Sequence, residues 1–163
     1  MFLLAAACEE GQPTEAAFQD GDTVTEVPAG ATAVTYGEIQ EATTQVSSIQ
    51  ERERGIISTQ VEWEAYWVRF AGSVQPMPPA PTVDFNAERV VTAAMGGRPT
   101  GGYGISVPEV RGDPDAIYVV IMETSPGPSC IVTQATTAPA LAVRVPADNR
   151  PVVFVEETQV LDC

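Results

Sequence analysis

Val83-Asp84-Phe85 opens the stretch that decides the fold. It runs through Arg89-Val90-Val91-Thr92-Ala93-Ala94-Met95 into Gly96-Gly97-Arg98-Pro99-Thr100-Gly101-Gly102-Tyr103-Gly104-Ile105-Ser106-Val107. An apolar run rich in valine, broken by glycines and a proline and then resumed with alternation, reads as strand, turn and strand. The pattern continues downstream. Strands are expected near 90–95, 103–110, 116–124, 140–145 and 151–157, parted by glycine and proline turns. Ala116-Ile117-Tyr118-Val119-Val120-Ile121-Met122 is apolar on both faces, which makes it the most buried strand. Arg111-Gly112-Asp113-Pro114-Asp115 before it is a hairpin turn, and its Arg-Gly-Asp triplet is ordinary turn chemistry.

Upstream of this sheet the periodicity changes. Thr59-Gln60-Val61-Glu62 forms a capping box, and Trp63, Tyr66, Trp67 and Phe70 follow at i, i+3, i+4 and i+7, one face of a helix over 60–71. Gly72 is the expected C-terminal stop. That aromatic face is read as core packing, with a sugar platform as the alternative. Gln75-Pro76-Met77-Pro78-Pro79-Ala80-Pro81 can be neither helix nor central strand and reads as an extended surface link, or as a polyproline ligand. Val34-Thr35-Tyr36 and Gln45–Gln50 are β-prone, and Glu51-Arg52-Glu53-Arg54-Gly55 reads as a solvated, charged turn before Ile56-Ile57. The class is α+β: a mainly antiparallel sheet, in one layer or two, with one amphipathic helix packed on it.

A hydrophobic strand, a Gly-x-x-Pro-Thr-Gly-Gly-Tyr turn and an alternating strand leaving it resemble the C-terminal domain of the protease-complex subunit PrcB, a module of bacterial envelope lipoproteins. The Glu-Trp-x-x-x-Trp frame at Glu62, Trp63 and Trp67 fits what precedes that module, so the resemblance covers about 58–145. It implies an accessory protein that associates with a protease. Arg98-Pro99-Thr100-Gly101-Gly102-Tyr103 also looks like the Asn-Pro-Thr-Thr-Gly-Tyr loop of chagasin-type cysteine-protease inhibitors. Arg150-Pro151-Val152 stands where that family carries Arg-Pro-Trp, with valine in place of its tryptophan anchor.

Composition removes many chemistries. The 163 residues are 44% apolar and 18% charged, which fits a single globular domain. Histidine is absent and all eight basic residues are arginine, so histidine-dependent triads, lysine nucleophiles and most zinc sites are excluded. Without a lysine, and leading into a strand, the glycine stretch is no phosphate loop, and no nucleotide is expected. A net charge of -14 repels nucleic acid. The 22 acids nominate no catalytic pair. Asp20-Gly21-Asp22 starts a calcium-loop spacing but lacks its distal acids. The expectation is a protein that is not an enzyme, with no metal and no cofactor.

Met1-Phe2-Leu3-Leu4-Ala5-Ala6-Ala7-Cys8 reads as the remnant (1–7) of a lipoprotein signal that begins further upstream, with lipid attached at Cys8. Residues 8–31, rich in acids, read as a tether, and 32–163 as the domain. Cys130 and Cys163 remain as an even pair, expected as a disulfide in an oxidising compartment. The expected place is the bacterial cell envelope, periplasm-facing or at the surface, with membrane contact through the lipid alone. In the Arg98–Tyr103 turn, Arg98 and Tyr103 are the side chains typical of interface anchors, and Gly101 and Gly102 suit positive φ and close backbone approach. The turn is thus a candidate partner contact, or else a tight turn with its tyrosine packed on the core. The expected function is non-catalytic: binding, and stabilising or assembling, an envelope protease complex. The alternatives are a chagasin-like inhibitor, a carbohydrate-directed envelope protein, and a structural module without a partner.

Overall fold

The valine-rich runs and the single capped aromatic repeat give strands around one helix. The computed structural model describes residues 18–72 and 74–163. In chain order the elements are β1 (Thr23–Val24), β2 (Thr32–Ala33), β3 (Gly37–Thr44), β4 (Glu53–Ile57), α1 (Gln60–Phe70), β5 (Glu88–Ala94), β6 (Gly104–Ser106), β7 (Val110–Gly112), β8 (Ile117–Pro126), β9 (Ala140–Pro146) and β10 (Val152–Leu161). One sheet has the order β1-β10-β8-β7-β2, with β6 also paired to β8; the other has the order β3-β9-β5-β4. The α+β class with a mainly antiparallel sheet holds, in two layers.

The alternation of side chains builds three apolar layers. Ile117, Val119 and Ile121 of β8 meet Val91 of β5 and Val143 and Val145 of β9 between the sheets. On the outer face of the second sheet, Val90, Ala94, Ala140 and Ala142 lie under Trp63, Tyr66, Trp67 and Phe70 of α1. Thr59 caps that helix: its hydroxyl accepts from the Glu62 amide at 3.3 Å and donates to the Glu62 carboxylate at 2.8 Å. Gly72 follows Ala71, the C-cap residue, at φ +63. The two indoles also explain the proline link, since Trp63 Nε1 donates to the Pro81 carbonyl and Trp67 Nε1 to Pro78, each at 2.8 Å. The link is clamped to the helix.

Several sequence expectations change. The strand expected over 103–110 is two, β6 and β7, and Arg111 and Gly112 of the expected hairpin turn end β7. Residues 18–31 are not tether: β1 pairs with β10, and Val24, Val27 and Ala31 cover Tyr118, Val120, Val153 and Val155 on the outer face of the first sheet. A strand apolar on both faces needs a cover on each, and this segment supplies the second. The β-prone segments 34–36 and 45–50 flank a strand, β3, instead of forming strands. Glu53, Arg54 and Gly55 belong to β4, paired with β5, and are no solvated turn. Finally, β10 pairs parallel to β8 over ten residues, from Val152 opposite Ile117 to Leu161 opposite Pro126. The chain leaves β8, crosses to the other sheet as β9, and returns in the direction in which it left. The lipid-attachment reading at Cys8 and the signal remnant lie outside the described residues.

Candidate functional site

The glycine turn leaves β5 at the end of the sandwich where β8 finishes. Arg98 exchanges both backbone hydrogen bonds with Thr137, at 2.7 and 3.0 Å, and the Thr137 hydroxyl donates to the Thr100 carbonyl at 2.9 Å. The Gly101 amide donates to the Thr133 carbonyl at 2.9 Å. Gly102 takes φ +87, as its residue type allows. Gly101 does not take a positive φ; it is glycine because the Thr133 hydroxyl leaves no space for a Cβ. A Cβ on Gly102 would stand 2.8 Å from Val132 Cγ1. The close approach that both glycines permit is therefore filled by the chain's own 132–133 segment. That segment is fixed in turn: the Cys130–Cys163 disulfide, with Cα atoms 5.0 Å apart, ties it to the end of β10. Pro99 and Gly102 face solvent, while Tyr103 is half-buried against the core between the sheets.

Beside the turn stands a cluster of ions that joins the two sheets. Arg52 and Arg54 lie two apart along the chain at the start of β4, so their side chains leave on one side. Arg54 Nη2 meets Glu123 Oε1 at 2.6 Å and Arg54 Nε meets Glu156 Oε1 at 2.8 Å. Arg52 Nε meets Glu123 Oε1 at 2.8 Å and Arg52 Nη2 meets Glu156 Oε2 at 2.7 Å. Arg98 comes from the turn, 3.8 Å from Glu123 Oε2, with its guanidinium 5.5 Å from the centre of the Tyr103 ring. The Arg54 and Glu123 side chains are each only 10% exposed. Burial alone would raise the Glu123 pKa, but hydrogen bonds from Arg54 and Arg52 and their charges outweigh it and hold the carboxyl below its usual range. Three guanidinium groups thus share two carboxylates between the sheets.

Of the nominated residues, Arg98, Pro99, Thr100, Gly101, Gly102 and Tyr103 do form one turn, and Trp63, Tyr66, Trp67 and Phe70 are buried core. Reading by sequence missed Arg52, Arg54, Glu123 and Glu156. The Arg-x-Arg spacing carried a one-face signal, but nothing local pointed to acids some 70 and 100 residues away. The two inhibitor-like elements stand apart. The turn leads into Gly104, opposite Thr124 of β8, whereas Arg150 precedes Val152, opposite Ile117. They lie at opposite ends of β8, about 23 Å apart at the usual strand rise. Among the described residues no group of three or more His, Cys, Asp or Glu could hold a metal ion, and no helix is long and apolar enough to cross a membrane.

Residues 89–146 match the family model described as PrcB C-terminal. The match runs from β5 through β9, so it takes in the glycine turn, Arg98, Tyr103 and Glu123, and leaves out α1 and β10. It spans roughly a third of the chain and is shorter than the 58–145 expected from the motifs. No curated protein and no solved structure matches the chain.

Proposed function

We propose, with the PrcB C-terminal match over 89–146 as premise, that this chain is a non-catalytic envelope lipoprotein that binds a protease complex and stabilises or helps assemble it. That match is the observation that carries the reading. The lipid at Cys8 would hold the domain at the membrane, and the Cys130–Cys163 disulfide suits an oxidising space. The contact is the rim of the glycine turn: Pro99 facing solvent, with Arg98 laid over Tyr103 beside it. Arginine and tyrosine, held by a disulfide-tied scaffold, are the side chains that carry interface energy at low ordering cost.

The test is capture from native envelopes solubilised in mild detergent, using tagged protein with its anchor intact. A peptidase should co-purify in stoichiometric amount, and Pro99→Glu and Tyr103→Ala variants shown to be folded should lose it. Absence of any stoichiometric partner would remove the complex and favour a second reading, a structural module. That second reading has its own observation: the space where a Cβ on Gly101 or Gly102 would stand is already taken by Thr133 and Val132.

A further inference from the structure

β4 is the terminal strand of its sheet, with β5 on one side and no strand beyond it among the described residues. The Met95 amide bonds to Pro139, on the side away from β4. Backbone groups alternate along a strand, so Ala94, Thr92 and Val90 turn theirs toward β4 and meet Glu53, Gly55 and Ile57. The amides and carbonyls of Arg54 and Ile56 are left pointing outward. An open edge of this kind is a template for another strand.

Each face of that edge carries a cleft. On the helix side a cavity of about 370 Å³ lies between Glu53–Ile57 and the flank of α1 formed by Glu62, Ala65, Tyr66 and Arg69. On the opposite side a cavity of about 300 Å³ is lined by Arg54, Gly55, Ile56 and Ser58 together with Asp20, Gly21 and Phe154. An added strand needs room on both faces, because its side chains alternate. In the first cleft Tyr66, only 5% exposed, forms the inner wall beside Thr92.

Charge selects the occupant. All eight arginines already stand within 4 Å of a carboxylate. Of those bordering the clefts, Arg69 is held by Glu53, and Arg54 by Glu123 and Glu156. Glu62, fixed as an anion by the Thr59 hydroxyl and the Ser58 amide, has no cation beside it. The helix-side cleft therefore favours a basic side chain; in the other, Asp20 is already bound to Arg89 and the Val152 amide and Arg54 to its two glutamates, which leaves the half-buried Ile56 side chain for an apolar one.

We propose that β4 is a docking edge for an extended segment of a partner protein in which basic and apolar residues alternate. The segment would add as a fifth strand to the β3-β9-β5-β4 sheet, along the flank of α1. This rests on the reading of the chain as a binding module and locates a contact next to the glycine turn, where Gly97 donates to the Gln50 carbonyl at 3.0 Å.

The probe is a labelled heptapeptide, acetyl-Lys-Val-Lys-Val-Lys-Val-Lys-amide, titrated against the full chain at low salt and read by fluorescence anisotropy and by amide exchange. Saturable binding is expected, with exchange slowed at Arg54 and Ile56. The glutamate analogue, and one with proline at the central valine, should not bind. Ile56→Pro removes an outward amide that no ladder bond uses, and should weaken binding about tenfold. Ala65→Trp, at an exposed position, fills the helix-side cleft and should do the same if Ile56→Pro fails to fold. No binding, binding unchanged by both substitutions, or protection that avoids β4 would overturn the proposal. A peptidase captured from envelopes while the peptide fails would leave the accessory role standing on another surface. Peptide bound at β4 with no peptidase captured would remove the protease reading alone.

Discussion

Glu123 ties the two sheets together through its ion pairs. It sits on β8, accepts from Arg54 on β4 and from Arg52 just before it, and is nearly buried. Replacing it with glutamine leaves Arg54, itself 10% exposed, with only Glu156. Arg52 is half exposed, so the loss falls between the surface and buried limits, about 2–3 kcal/mol by chemical denaturation. The pH sign follows from the direction of the shift. The folded carboxyl has the lower pKa, so its stabilisation is fully present above the unfolded value, about 4.3. It is lost as pH falls through the folded value. Parent and Glu123→Gln curves should therefore stand apart at neutral pH and converge only in acid; a constant gap down to the acid limit would mean that the carboxylate's charge is not what matters.

At the scale of elements, what the sequence made legible was what it specifies locally. The Thr59–Glu62 box and the aromatic repeat placed α1 within a residue of its observed end, because capping and periodicity are written in neighbouring residues. The strands around 90, 120 and 140 were legible for the same reason. Pairings across the chain were not. β4 was hidden because its charges read as a solvated turn, and only acids on β8 and β10 make them interior. The 18–31 segment was hidden because its few apolar residues look too sparse to order it, until the doubly apolar β8 and β10 are seen to lack a cover. The site was half legible: the turn was visible, its ion cluster was not. The disulfide lies between these cases, legible by elimination and important through what it holds. The Cys130→Ser, Cys163→Ser double variant should lose about 3–4 kcal/mol of stability in the chain-entropy account. Its amide exchange should rise first at Gly101, whose bond to Thr133 depends on the tied segment. Unchanged exchange at Gly101 would show that the turn needs no staple.

At the scale of the whole molecule the charges are lopsided: 22 acids face eight arginines, and every arginine is already paired. Added salt therefore acts in two opposed ways. It weakens the exposed pairs, such as Arg69–Glu53 and Arg150–Asp148, each worth at most about 1 kcal/mol. It also screens the repulsion among the carboxylates in excess, which acts in the compact state over distances comparable to the Debye length. The Arg54–Glu123 pair, shielded from solvent, changes little. With a net charge of -14 the second effect is the larger, so the melting temperature should rise between low and moderate salt, by about 2–5 °C. Glu123→Gln should show the same rise from a lower start, since the repulsion it feels is nearly the same. A melting temperature that falls with salt would mean that surface pairs, and not the acidic excess, govern the electrostatics of this protein. The case for a basic partner would then lose its charge argument, and the β4 edge would keep only its geometry.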